Sequence, residues 1–277
     1  MKFKVTCVVE NSVRLSTRLW GEHGVSMLVE TKAGKVLFDT GQSGDVLEHN
    51  LKELDLDISD IDAIVLSHGH YDHTGGLEKA LELTGSKTIY AHPDVFEERF
   101  SMRQDGSLKL IGIPFGKSYL ESLGASWSLS RKPQEVIPGV FTTGEVPREE
   151  PLESTGDRRL VVLGTDGNVR QYPLLDDMSL VISTNKGLVL LLGCCHAGLM
   201  NTIRHVEKTF GGKVVAVLGG THLATASDER LAATETVLEK VDRIGLSHCT
   251  GIMVMARFIN RFRGKAFPCQ AGTVFEI

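Results

Sequence analysis

The sequence predicts an α/β (α+β) protein of four layers, an αββα sandwich in which helices cover two packed mixed β-sheets. Three observations carry that prediction. Helix-like stretches alternate with apolar runs of buried-strand length through the second half of the chain. Four apolar runs end in small residues and then histidine: Ile64-Val65-Leu66-Ser67 before His68, Leu190-Leu191-Leu192-Gly193-Cys194-Cys195 before His196, Val215-Ala216-Val217-Leu218-Gly219-Gly220-Thr221 before His222, and Ile244-Gly245-Leu246-Ser247 before His248. The first of these opens Ser67-His68-Gly69-His70-Tyr71-Asp72-His73-Thr74-Gly75-Gly76, where three histidines and an aspartate crowd a strand end. Open α/β sheets build their sites at the carboxyl ends of strands, so four strands delivering histidine there imply one focus.

In chain order, residues 2–9 read as a first strand, and 25–30 and 35–38 as two more joined by Lys32-Ala33-Gly34. The third ends at Asp39, which on its own reads as an Asx turn. Residues 45–54 are expected to be helical, 63–66 a buried strand, 75–83 a helix and 88–91 a strand. His92-Pro93 then begins a turn, with a structural or surface role for His92 set against a place near the site. Residues 100–160 are the least regular, with one short strand at 137–141, and are expected to form a lid or insertion on the substrate side. Glu145 and Arg148 are candidate substrate contacts there, against the plainer reading of a solvated loop pair. Strands at 160–163 and 169–172 flank the turn Thr165-Asp166-Gly167-Asn168, and strands at 179–183 and 188–192 flank Asn185-Lys186-Gly187. Helices are expected at 200–210, 230–241 and 251–262, the second capped by Ser227-Asp228-Glu229. No linker rich in Pro, Gly or Ser divides the chain, so residues 1–277 are expected to be one domain.

Composition narrows the function. Hydrophobic residues make up 42% and aromatics 6% of 277 residues, which suits a soluble protein with a sizeable core. The formal net charge is −5 with no basic stripe, which argues against nucleic acid as the partner. Met1-Lys2-Phe3-Lys4-Val5 leads into no long apolar segment, so a cytoplasmic protein without membrane attachment is expected. The five cysteines, Cys7, Cys194, Cys195, Cys249 and Cys269, are odd in number and form no disulfide framework. Cys194 and Cys249 lie near histidines of interest and are candidate ligands or supporting thiols. Cys7 and Cys269 read as small buried hydrophobes.

Neutral imidazole and carboxylate suit zinc, iron, manganese and nickel, zinc foremost. The stretch His68, His70, Asp72, His73 resembles the His-x-His-x-Asp-His signature of the metallo-β-lactamase superfamily. Gly193 to Gly198, Gly219 to Leu223 and Ser247 to Gly251 resemble later blocks of one branch. That branch includes an archaeal enzyme joining a dihydropterin to ribofuranosylaminobenzene 5′-phosphate, and many metal-dependent hydrolases. The resemblance implies one or two divalent ions. His68 and His70 hold the first with His196 as third ligand, and Asp72 and His73 hold the second with His248. It also implies that Asp39 supports the ligands from behind. Better-known hydrolases of the superfamily supply a further upstream histidine and a bridging aspartate; here Asp176-Asp177 and Gly193-Cys194 stand in their places. Cys194 is therefore expected as a bridging or supporting thiol, and His222 as a ligand or a group acting on substrate.

A bound divalent ion lowers the pKa of its water and polarises a carbonyl or phosphoryl oxygen. The leading expectation is a hydrolase opening an ester, lactone or phosphoester, with Asp72 and His222 as catalytic residues. The alternative is a transferase that condenses a dihydropterin methyl diphosphate with the aminobenzene riboside phosphate. A non-catalytic metal or ligand binder is the third. The expected partner is a small molecule, phosphorylated in the transferase case.

Overall fold

In the computed structural model, residues 2–153, 159–163 and 167–276 are described. Strands β1 (Phe3–Val9), β2 (Ser26–Thr31) and β3 (Gly34–Phe38) form an antiparallel meander. Helix α1 (Gly44–Glu53) starts at Ser43, whose hydroxyl accepts from the Val46 N–H, and leads to β4 (Ala63–Val65). The short α2 (Tyr71–Thr74) and α3 (Leu77–Thr84) carry the chain to β5 (Lys87–Ala91). Next come β6 (Arg99–Met102), β7 (Leu108–Leu110), α4 (Lys117–Ser122), β8 (Ala125–Leu129), β9 (Glu135–Ile137) and β10 (Val140–Thr142). Beyond these lie β11 (Leu160–Leu163), β12 (Val169–Gln171), β13 (Ser179–Thr184) and β14 (Gly187–Leu192). The remainder alternates: α5 (Leu199–Phe210), β15 (Val214–Gly220), α6 (Asp228–Leu238), β16 (Arg243–Ser247), α7 (Ile252–Arg261), β17 (Ala266–Pro268) and β18 (Val274–Glu276).

One sheet runs β18-β1-β2-β3-β4-β5-β8 and the other β17-β16-β15-β14-β13-β10-β9. Both are mixed, as expected. Their facing surfaces share a core that includes Val5, Val29, Phe38, Leu180, Leu191 and Leu218. Helices α1, α3 and α4 cover the first sheet through residues such as Leu47, Leu81 and Leu120. Helices α5, α6 and α7 cover the second through residues such as Val206, Leu238 and Phe258. Each helix buries one stripe because its apolar residues recur at helical spacing.

The lid boundaries differ from the sequence expectation. A separate sheet, β12-β11-β6-β7, closes over the site and packs on Ile111, Leu160, Tyr172 and Leu174. Between its two halves, however, β8 joins the first main sheet and β9 and β10 join the second. Residues 100–160 are therefore not one insertion. Strands of three to five residues are too short to display a clear period, so the sequence conceals which sheet each belongs to. The expected 137–141 strand is a hairpin turning at Pro138-Gly139. Of the expected turn at 165–168, Thr165 and Asp166 lie outside the described residues. Among the described residues, no helix is long and apolar enough to cross a membrane.

Strand register explains the common focus. β3, β4 and β5 are parallel with Phe38, Val65 and Tyr90 abreast, and β14, β15 and β16 are parallel with Leu192 beside Gly219 and Gly220 beside Ser247. Their carboxyl ends share one edge of the sandwich. There the chain breaks from the extended conformation at non-glycine residues with positive φ: Asp39 (57°), Cys195 (58°), His222 (48°) and His248 (50°). Such left-handed residues are costly and gather at functional sites.

Candidate metal centre

The His68 stretch leaves β4 through a turn where only glycine fits at position 69, since a Cβ there would lie 2.0 Å from the Val95 carbonyl oxygen. A ring nitrogen of His68 faces one of His70 at 2.9 Å, and the other faces Ser67 Oγ at 2.9 Å. His196 arrives from the end of β14, its ring 4.9 Å from that of His68 and 5.1 Å from that of His70. Asp72 and His73 sit in α2. His73 Nε2 lies 3.3 Å from Cys194 Sγ, and Asp72 Oδ2 lies 3.3 Å from His248 Nε2. Three donor sets result, each with its ligand atoms within 4.8 Å of one another: Asp72, His73, Cys194 and His248; His68, Cys194 and His196; and Cys194, His222 and Cys249. Cys194 belongs to all three. His70 stands against the second set through its contact with His68.

Asp39 lies behind the ligands, and the Asx-turn reading misses its role. Its Oδ2 is 2.7 Å from His73 Nδ1 and accepts from Ser67 Oγ at 2.7 Å, while Oδ1 accepts the Ser67 N–H. The Asp176-Asp177 pair grips the site from the other side. Asp176 Oδ2 accepts the Gly69 N–H at 2.8 Å and pairs with Arg99 Nη1 at 2.7 Å. Asp177 Oδ2 accepts the Ala197 N–H at 2.8 Å, and burial pushes its pKa up to about 6. Standing where the upstream histidine was looked for, this pair fixes the turns that carry His68 and His196.

The donor chemistry fits a divalent cation. Burial, reinforced by neighbouring imidazoles, holds His68 and His196 well below the usual histidine range, and burial brings His70 to about 3. Neutral imidazoles offer the lone pairs that metals take. His70 Nε2 and His196 Nε2 are buried with no hydrogen-bond partner among the described residues, a cost that a coordinated ion removes. Burial opposes charge on Asp72, but His73, His23 and His248 outweigh it and hold the carboxylate well below its usual range. Burial likewise lowers His73, yet Asp39 and Asp72 raise it to about 9.

Above the donors lies a cavity of about 230 Å³, reached by His70, Asp72, Cys194, His196, His222, His248 and Cys249. Tyr71, Ser101, Ile111, Arg159 and Leu160 form its walls. Glu145 and Arg148 do not line it. Glu145 bonds Arg131 at 2.7 Å and lies 3.2 Å from His92, while Arg148 donates to the carbonyl oxygens of His196 (2.8 Å) and Leu174. These engagements have both side chains holding loops, apart from the residues that line the cavity. His92 is buried and accepts the Asp94 N–H, so its structural reading holds and the surface one does not.

Three contributors escape a search for histidines at strand ends. His23 Nε2 approaches Asp72 Oδ2 at 3.2 Å; Asn11 Oδ1 lies 2.8 Å from His248 Nδ1; and Glu10 Oε1 accepts the His248 N–H at 2.5 Å. Glu10-Asn11 directly follows the apolar β1. A polar pair after a buried strand was the available signal. His23 lies in a loop without periodicity and offers none.

A sandwich with its donor cluster at this edge defines a metal-binding protein of metallo-β-lactamase fold. The model of the metallo-beta-lactamase superfamily matches residues 19–169, more than half of the chain, and the chain belongs to that superfamily. It is 33% identical to the 7,8-dihydropterin-6-methyl-4-(beta-D-ribofuranosyl)-aminobenzene-5′-phosphate synthase of Methanocaldococcus jannaschii, over 99% of this chain and 96% of that protein. A solved metal-dependent hydrolase of the beta-lactamase superfamily matches with a TM-score of 0.84 and 27% identity, covering 99% of each chain. Zn(2+)-bound PqqB from Methylobacterium extorquens shares the fold at a TM-score of 0.57 and 14% identity, over 99% of this chain and 100% of that one.

Proposed function

We propose that the protein is a metal-dependent hydrolase of small esters, lactones or phosphoesters. The observation that supports this best is the set of buried neutral imidazoles, His68, His70 and His196, beside the Asp72–His73–His248 set at the floor of an open cavity. One or two divalent ions, zinc foremost, would be held by these residues with Cys194 shared between them. When bound, such ions lower the pKa of water and polarise a carbonyl or phosphoryl oxygen.

The chain's own groups do the rest. Asp39 keeps His73 aimed through Nδ1, and Asn11 does the same for His248. Asp72 carries negative charge into the site and accepts from His23. His222 reaches the cavity from the end of β15, where, if it is left unligated, it can carry a proton to a leaving group. Tyr71, Ile111 and Leu160 exclude water from one wall, which strengthens every charge interaction inside. Zinc-loaded protein is expected to turn over a member of an ester, phosphodiester and lactone panel, with the activity lost in His196→Ala. No turnover across the panel would sink the proposal.

A second reading is favoured by the 33% identity, over nearly the whole chain, to the archaeal synthase. In it the same donors would hold ions whose positive charge favours departure of a diphosphate, as a dihydropterin methyl diphosphate condenses with ribofuranosylaminobenzene 5′-phosphate. Incubation with both substrates, followed by mass spectrometry, gives the condensed product under this reading and no condensed product under the first.

A further inference from the structure

The third donor set belongs to neither expected metal position. We infer that Cys249 is a metal ligand, forming with Cys194 and His222 a sulfur-rich position for a divalent ion on the cavity side of the other two sets. The inference deepens the metal-dependent reading above and rests on it.

Geometry carries it. The ligand atoms of Cys194, His222 and Cys249 lie within 4.8 Å of one another, although the residues come from the ends of three different strands. All three reach the cavity, and His222 and Cys249 are half-buried where His68, Asp72, His73 and His248 of the other sets are buried. The local backbone is shaped around the sulfur. The His222 N–H donates to Cys249 Sγ at 3.2 Å, from a residue held at a φ of 48°. Gly220 leaves the space: a Cβ there would sit 2.7 Å from Cys249 Sγ and 2.4 Å from the Gly193 carbonyl oxygen. The Cys249 thiol also points at the Cys194 carbonyl oxygen, 3.4 Å away, so the two cysteines meet at main chain as well as through sulfur.

The chemistry narrows the occupant. Two sulfurs and one imidazole favour zinc and other thiophilic ions over magnesium, calcium or manganese. Three protein donors with the fourth direction towards a cavity match the pattern of catalytic rather than structural sites. Because a thiolate sulfur has lone pairs to spare, Cys194 can join this ion to one in either deeper set. An ion here would be the one nearest to a substrate.

Cobalt(II) alone is a suitable probe for the full-length protein, since thiolate-to-cobalt charge transfer absorbs in the near ultraviolet. Cobalt-loaded wild type should show this band, and Cys249→Ser should lose about a third or more of it, because one of three sulfur–cobalt bonds is removed. A band of unchanged intensity in Cys249→Ser would overturn the inference. X-ray absorption on the cobalt-loaded wild type gives a test that needs no variant. At saturation the sulfur–cobalt bonds summed per protein should reach three, two from Cys194 as it joins this ion to a deeper one and one from Cys249, and two or fewer, the most that Cys194 alone gives in joining two ions, overturns it. Metal analysis of His68→Ala and His196→Ala tests the underlying reading separately, through residues outside this triad.

Discussion

Asp39 is never a ligand in this arrangement, yet the His73 ring, the Ser67 hydroxyl and the Ser67 N–H all converge on its carboxylate. Removing such a support typically weakens metal binding by about 10–100-fold while leaving the ligands in place. Asp39→Ala should show that loss in a competition titration, and Asp39→Asn should recover part of it because the amide oxygen still accepts. The ligands behave differently. His68→Ala and His196→Ala should lose metal by elemental analysis. His92→Ala should keep its metal and lose about 1 kcal/mol of stability, since the partly buried Asp94 N–H loses its partner. Full metal retention in His196→Ala would remove it from the donor set. At this scale the sequence is a good guide wherever chemistry sits beside a recognisable strand. His68, His196, His222 and His248 follow apolar runs and are legible; His23 and Arg148 find their partners only through the tertiary fold.

The element that most needs support is the turn between β4 and α2. Gly69 supplies its close approach, and Asp176 holds it through the Gly69 N–H. Asp176 in turn neutralises Arg99, a fully buried arginine whose guanidinium also lies over the Tyr172 ring at 4.7 Å. Asp176→Ala would leave that arginine buried and unpaired, so a loss of about 3–5 kcal/mol is expected in urea unfolding. Replacing both partners by apolar residues of similar volume should cost much less. The pairing is invisible in sequence because Arg99 and Asp176 belong to distant segments. The Asp176-Asp177 doublet is conspicuous, but only the fold shows that each carboxylate fastens a different metal-bearing turn. The lid illustrates the same limit: its strands are short, partly exposed and drawn from two separate stretches, so no period marks them.

Across the whole molecule, the paired sheets and their helices follow from alternation of apolar strands with amphipathic helices, and these were readable from the sequence. Metal loading should depend on pH through His73. Its pKa is raised to about 9 by Asp39 and Asp72, so below that pH the ring carries a proton that an incoming ion must displace. Affinity should therefore rise with pH by up to about tenfold per unit through this proton as pH nears 9, and should go on rising above that through Cys194, whose thiol burial pushes above its usual range. Zinc competition at several pH values checks this, and a flat profile would show that His73 takes no part. The left-handed residues at the strand ends bear on the same process. Asp39, His222 and His248 are locked by main-chain geometry rather than by flexible loops. Loading therefore resembles filling a mould more than folding around a seed, unlike small zinc domains that are shapeless without their ion. Far-ultraviolet circular dichroism of stripped and reloaded protein should superimpose, and the chelated form should still melt cooperatively.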